Sequence, residues 1–420
     1  MTQPLRILHV NASSSGGAFV VAQRLVDAQN TIEGIQARHF VFTGQPGAGY
    51  ELFASSLGKK AKAFAYHAAE KAHFLAHEAS SAQRFLFSHA WVGLDEIPGW
   101  QEADILHLHW VNKGLLSMRG LQRLIDSGKP IVWTCHDLWP FTGGCYHPSD
   151  CQGLESHCQT CPLLKPGSDL AQRRLAHKQR LWAGQKQLQF VAPSAWLAGK
   201  AARSAAAQDL VHEIQVIPNG IDALRFAPGD AAAERRRWNL DPEATVLLFS
   251  SANLANPYKG FPEFVRLFNG LIEAGQKVQA LLVGQNRVGD LGLNGPHVEA
   301  GFLTDADDLV SVYRAADLYV TPTRNDNLPT TVMEALSCGT PVLAFGVGGI
   351  PEMVQNGKTG WVIEPGDSEG LFQAAQAFMT QSAEERRHMA TAARAFAQST
   401  YAHEAVLEQY QALYQSVRSH

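Results

Sequence analysis

Short β-branched or leucine-rich runs alternate with helical patterns along this chain, and the rhythm restarts once near its middle. In the first half, LRILHV (5–10), ARHFVF (37–42), DILHLH (104–109), PIVWTC (130–135) and QFVAP (189–193) have the length and apolarity of buried strands. Helical spacing lies between them, as in GGAFVVAQRLVDAQ (16–29) and KGLLSMRGLQRLIDSG (113–128). The second half repeats the order with TVLLFS (245–250), VQALLVG (278–284), DLYVTP (317–322) and PVLAF (341–345), with helices near 260–274, 305–315 and 330–338. Strands joined through helices must run parallel, with helices on both faces of the sheet. Pro218, Asn219, Gly220, Pro228 and Gly229 break the periodicity between the halves. The expectation is an α/β chain of two doubly wound, Rossmann-like domains facing across a cleft. Ligands in such sheets bind beyond the carboxyl ends of the strands.

At 420 residues the chain suits two cores better than one. With 45% apolar residues and a net charge of -4 it offers no basic excess for nucleic acid, and no such motif occurs. No apolar run approaches the roughly 20 residues that span a bilayer. The start, MTQPLRILHVNASSSGG, lacks the basic-then-apolar order of a signal peptide, so a cytoplasmic protein is expected.

The stretch NDNLPTTVMEALSCGTPVLAFGVGGIPEMV (325–354) carries the most specific chemistry. Asp326 lies in the loop after a strand, and Pro329, Thr330 and Thr331 suit a helix start. Glu334 then falls about one turn inside that helix. Unpaired amides around Leu328 to Thr331 attract phosphate, and a carboxylate further in suits the hydroxyls of a ribose. Together these describe a site for a sugar nucleotide. Taken alone, Asp326 would merely cap its loop and Glu334 would be a solvated helix residue. Residues 346–351 run G-x-G-x-x-P, without the third glycine of a dinucleotide fingerprint, which disfavours a dehydrogenase.

The words DNLP, TVMEAL, CGTPV and GGIPE in this stretch resemble the donor site of the retaining glycosyltransferases of the GT-B fold, glycosyltransferase family 4. The variant most similar is that of the colanic-acid and exopolysaccharide transferases. DILHLHW (104–110), WTCHDLWPFTGGC (133–145), PSAWL (193–197), VIPNGID (216–222) and YKGF (258–261) extend the likeness over nearly the whole chain. The resemblance implies an N-terminal acceptor-side domain (1–215), a C-terminal donor-binding domain (216–398) and a final helix (399–420) returning to the first domain. YAHEAVLEQYQALYQSV places Val406, Leu407, Tyr410, Leu413 and Tyr414 on one side of that helix.

Carried over residue by residue, the resemblance implies four catalytic positions: His136, Lys259, Asp326 and Glu334. Glu334 would hold the ribose, Asp326 the sugar hydroxyls and Lys259 the diphosphate. His136 would orient the donor near its anomeric carbon. Donor-binding positions would be Gly16, Gly17, Asn253, Gly284, Arg324, Asn327, Leu328, Pro329 and Thr330. Two departures stand out. The family commonly has Glu where Asp326 stands, and an arginine where Asn253 stands; Arg324 is a candidate replacement for that arginine. His107 and His109 are expected to pack near their strand end, with one of them a candidate for the acceptor pocket. Asp305, Asp307 and Asp308 read as a helix cap, not as a donor-metal pair. No metal is expected for catalysis.

The implied partners are a UDP- or GDP-sugar and a glycan or lipid-linked acceptor, in a bacterial surface or secreted polysaccharide. Two other readings stay open: an epimerase or hydrolase on the same fold, and a non-catalytic sugar-nucleotide-binding protein. Cys145, Cys151, Cys158 and Cys161, in the loop 142–165, suggest either a structural zinc or reduced or disulfide-bonded cysteines. From Lys165 to Arg203, eight Lys or Arg face one acid, with Leu170, Leu175, Leu181 and Trp182 interleaved. This reads either as a helix packed on its own sheet or as a peripheral contact with the cytoplasmic face of a membrane.

Overall fold

The computed structural model describes residues 3–77, 86, 92–148 and 151–418. It divides into two compact units, Met1–Gly220 with Val406–His420, and Ile221–Ala405. The divisions fall a few residues beyond the 215/216 and 398/399 expected from sequence.

The N-terminal unit contains β1 (Leu5–Ser13), β2 (Ile35–Thr43), β3 (Glu51–Leu52), β4 (Ile105–Leu108), β5 (Ile131–Thr134), β6 (Leu188–Ala192) and β7 (Gln215–Val216). They form one parallel sheet in the order β3-β2-β1-β4-β5-β6-β7. Neighbouring residues of a strand enter different cores. Leu8, Leu106 and Trp133 pack on one face with the helix Leu170–Trp182. Ile7, Ile105 and Val132 pack on the other with the C-terminal helix His403–Arg418. Burial on both faces is why these strands read as continuous apolar runs.

The C-terminal unit contains β8 (Thr245–Asn253), β9 (Val278–Gln285), β10 (His297–Gly301), β11 (Leu318–Thr321), β12 (Val342–Phe345) and β13 (Gly360–Ile363). Its parallel order is β10-β9-β8-β11-β12-β13. Strand order therefore reverses between β8 and β11, as it does between β1 and β4. A crevice opens where crossovers leave in opposite directions, so these two points are where each sheet can receive a ligand.

The sequence reading named nine of the thirteen strands; β3, β7, β10 and β13, which it did not name as strands, are short or partly exposed. It did not place the helices Leu57–His77, Ser368–Thr380 and Ala383–Tyr401. The basic stretch 165–203 is two helices, Leu170–Trp182 and Ala195–Ala202, separated by β6. Leu175, Leu181 and Trp182 are buried in the core, so that stripe packs on its own sheet and offers no apolar face to a membrane. Among the described residues no helix is long and apolar enough to cross one.

Candidate functional site

In the C-terminal unit the sequence-selected residues gather around the carboxyl ends of β8 and β11. Lys259 follows β8 and Asp326 follows β11, and Lys259 Nζ donates to Asp326 Oδ2 at 2.6 Å. The two loops are knitted together: the Arg324 amide and the Thr323 hydroxyl both donate to the Tyr258 carbonyl, each at 2.8 Å. Gly260 has φ +75°, and a Cβ there would lie 1.8 Å from the Pro322 carbonyl oxygen. The word YKG thus ends in glycine because the β11 loop crosses directly over it.

A second glycine closes the loop from the other side. Gly348 has φ +60°, and a Cβ would lie 1.8 Å from the Asp326 carbonyl oxygen. The Gly349 amide donates to the Asn327 carbonyl at 2.7 Å. The spacing between DNLP and GGIP is therefore a contact, with the turn after β12 clamping the Asp326 loop.

The helix Thr330–Ser337 starts beside this loop, with Pro329 before its first residue and no side chain capping it. Leu328 is buried beneath the start. Glu334 is buried in the second turn and accepts a hydrogen bond from the Tyr313 hydroxyl at 2.9 Å. Burial raises the Tyr313 phenol well above its ordinary pKa, so it stays a donor to that carboxylate. Tyr313 lies on the helix Ala306–Ala315, and no local pattern linked it to Glu334. Glu334 is not a solvated helix residue.

Three expected positions have other partners. Arg324 forms an ion pair with buried Glu263, which also pairs with Arg266. Asn253 caps its own loop, its Oδ1 accepting from the Ala255 amide at 3.0 Å. Gly284 lets β9 pass β8, since a Cβ would lie 1.8 Å from the Ser251 carbonyl oxygen. Asp305 accepts from the amides of Asp307 and Asp308 and caps the helix Ala306–Ala315, as expected.

In the N-terminal unit, Gly16 and Gly17 join β1 to the helix Gly17–Gln29, Gly16 at φ +88°, and a Cβ on either would meet nothing within 4 Å. His136 follows β5, and its Nε2 lies 3.0 Å from His109 Nδ1. Burial lowers the His136 pKa to about 4, so the ring is neutral. Asp137 accepts from Trp110 Nε1 at 2.9 Å and from the Trp139 amide at 2.8 Å. Burial nonetheless raises its carboxyl to about 6.

None of the four clustered cysteines is joined in a disulfide. Burial pushes Cys145 up to about 12. Among the described residues, the metal-ligating atoms lying within 4.8 Å of one another belong instead to His9, His107 and His109. The other three cysteine thiols lie near enough to Cys145 to raise its pKa further.

Two doubly wound sheets, each reversing its strand order once, are the GT-B fold that this chain shares with solved glycosyltransferase structures. A family model described as Glycosyltransferase Family 4 matches residues 15–225, half of the chain, and one described as Glycosyl transferases group 1 matches residues 230–396. The chain belongs to glycosyltransferase family 4.

It is 29% identical over 275 residues to the putative colanic acid biosynthesis glycosyl transferase WcaC of Escherichia coli, covering 61% of this chain and 62% of that one. It is 33% identical over 196 residues to a D-inositol 3-phosphate glycosyltransferase of Segniliparus rotundus, covering 44% of this chain and 43% of that protein. The chain thus spans less than half the length of that curated relative. Anabaena HepE, solved in complex with UDP, is similar at a TM-score of 0.65 and 18% identity, covering 98% of this chain and 100% of that one. The sucrose-phosphate synthase of Thermosynechococcus elongatus is similar at 0.67 and 18%, covering 100% of both chains.

Proposed function

We propose that this protein moves a sugar, with retention at the anomeric carbon, from a nucleotide-diphosphate sugar to a glycan or lipid-linked acceptor in bacterial polysaccharide synthesis. The observation that carries the reading is the Lys259–Asp326 pair beside an uncapped helix start, with buried Glu334 one turn further on.

Without donor, Lys259 is neutralised by Asp326. A pyrophosphate at the helix start exchanges that partner for a stronger one, because two negative charges and the helix dipole converge there. Asp326 is then free to accept from the sugar's hydroxyls, and Glu334, held by Tyr313, accepts from the ribose. As the sugar–phosphate bond breaks, Lys259 stabilises charge on the departing oxygen. That oxygen takes the proton of the acceptor hydroxyl while the new glycosidic bond forms on the same face. Orientation near the anomeric carbon falls to His136 in this reading. Nucleotide-sugar use draws support from the HepE structures, solved with UDP and with UDP-glucose. Surface polysaccharide draws support from the name of the E. coli relative.

The experiment is a thermal-shift screen of UDP-, GDP- and ADP-sugars, followed by nucleotide release with and without acceptor glycans. One donor is expected to raise Tm, and release is expected to depend on acceptor. Conversion without acceptor would mean an epimerase or hydrolase, and binding without turnover a non-catalytic protein.

A lipid-linked acceptor also draws support from the helix Leu57–His77. Leu57, Phe64 and Leu75 are 88%, 75% and 66% exposed, in line along one face with Ala61, Ala68 and Ala72. Lys60 and Lys71 lie along one edge of that line, while Ala63 packs into the core on the opposite side. An apolar line edged by lysines suits an anionic bilayer surface. Sedimentation with anionic vesicles is expected. Phe64→Glu removes the burial of a phenyl ring, about 2 kcal/mol, and is expected to weaken partitioning roughly thirty-fold. Equal sedimentation of both proteins rejects the contact.

A further inference from the structure

We propose that Gln29 sets the direction of a buried hydrogen-bond chain ending at His136, and so fixes that imidazole with its proton on Nε2 and its lone pair on Nδ1. The chain joins β1, β4, β5 and the C-terminal helix inside the N-terminal unit. Gln29 Nε2 donates to the Tyr414 hydroxyl at 2.8 Å, and Gln29 Oε1 lies 2.8 Å from His9 Nε2. His9 Nδ1 lies 3.0 Å from His109 Nε2, and His109 Nδ1 lies 3.0 Å from His136 Nε2. On the other arm, the Tyr414 hydroxyl lies 2.8 Å from His107 Nδ1, and His107 Nε2 lies 2.8 Å from Thr134 Oγ1. Thr134 Oγ1 lies 2.9 Å from the Tyr410 hydroxyl.

An amide oxygen only accepts and an amide nitrogen only donates. His9 must therefore carry its proton on Nε2 to reach Gln29, which leaves Nδ1 to accept from His109 Nε2–H. His109 then accepts on Nδ1, and His136 must supply Nε2–H. On the second arm, Tyr414 accepts from Gln29 and donates to His107 Nδ1, so His107 carries Nε2–H toward Thr134, whose hydroxyl donates to Tyr410. One amide polarises every link, and each ring is neutral.

The desolvated setting favours neutral rings, since His9, His107, His109, Gln29, Thr134, Tyr410 and Tyr414 are all buried. A metal at the three neighbouring histidines would have to break these bonds, because both ring nitrogens of each already have partners. The proton positions do not rest on the proposed transfer.

Histidine-selective 15N labelling tests the proposal, because two-bond correlation spectra separate the two neutral tautomers, the imidazolium and a metal-bound ring. Nε2–H is expected at His9, His107, His109 and His136. In Gln29→Glu, read at a pH where the carboxyl 13C shift shows the ionised form, the carboxylate accepts on both sides, so Tyr414 turns to donate to it. His107 is then expected to switch to Nδ1–H while His9, His109 and His136 keep their protons. A space-filling role for Gln29 would leave His107 unchanged, and that result overturns the proposal. So does a wild-type His136 that is cationic, metal-bound or protonated on Nδ1, a measurement that needs no variant to fold.

Discussion

Lys259→Ala is expected to lower acceptor-dependent nucleotide release by roughly 10²- to 10³-fold, the usual cost of removing one preorganised group from a developing negative charge. The loss should appear mainly in kcat, because the lysine is most needed when the phosphate oxygen gains charge. Folding should barely change. The Lys259 side chain is 35% exposed, and ion pairs of that kind contribute about 1 kcal/mol or less. Gly348→Ala should impair the same loop by another route. Its Cβ would collide with the Asp326 carbonyl, in a backbone conformation that costs an alanine about 1–2 kcal/mol before any collision. Gly366→Ala has similar strain at φ +88° but open space around it, so it isolates the strain. Donor affinity should fall in the Gly348 variant and hold in the Gly366 variant. A less than roughly threefold change in kcat for Lys259→Ala removes that lysine from the transfer step.

Acidification should unfold the N-terminal unit between roughly pH 6 and pH 4.5. Burial lowers His9 to about 3 and His39 and His136 to about 4, and holds His107 and His109 well below the ordinary value. A base whose pKa falls on folding brings stability that is complete above its unfolded value, about 6.5. That stability is lost as pH drops toward the folded value, because the unfolded chain takes up the proton. Each buried histidine contributes about 1.4 kcal/mol per pH unit, so five together can exhaust a typical stability of about 5–15 kcal/mol within one or two pH units.

Asp137 acts in the opposite sense. Its carboxyl is raised to about 6, so its contribution is complete below the ordinary carboxyl range and lost as pH rises through 6. One such group offsets only part of the histidine effect. Seven of the nine tryptophans lie in this unit, at 91, 100, 110, 133, 139, 182 and 196, so their fluorescence should follow the transition. A spectrum unchanged from pH 7 to about pH 4.5 would mean the histidines are protonated while folded.

The histidines also show where local reading ends. DILHLH identifies a buried strand, and alternation places His107 and His109 on one face. Nothing nearby in the chain says that His9, 98 residues before His107, stands opposite it in the parallel register of β1 and β4. Nor does it say that Tyr410 and Tyr414 of the returning helix complete the polar line, although their place on its buried side was legible from their spacing.

By itself the sequence determined the two parallel sheets, because strands buried on both faces must be unbroken apolar runs between helical segments. It also marked the loop and helix start around Asp326 to Thr331, because Pro329 and the threonines after it have local backbone reasons for their place. Tertiary structure alone decided the partners: Asp326 for Lys259, Tyr313 for Glu334, Glu263 for Arg324, and Gly348 as a clamp on the Asp326 loop. Backbone preference acts over a few neighbouring residues. Which side chains meet depends on strand order and register, and those are set only when both faces of a sheet find their cores at once.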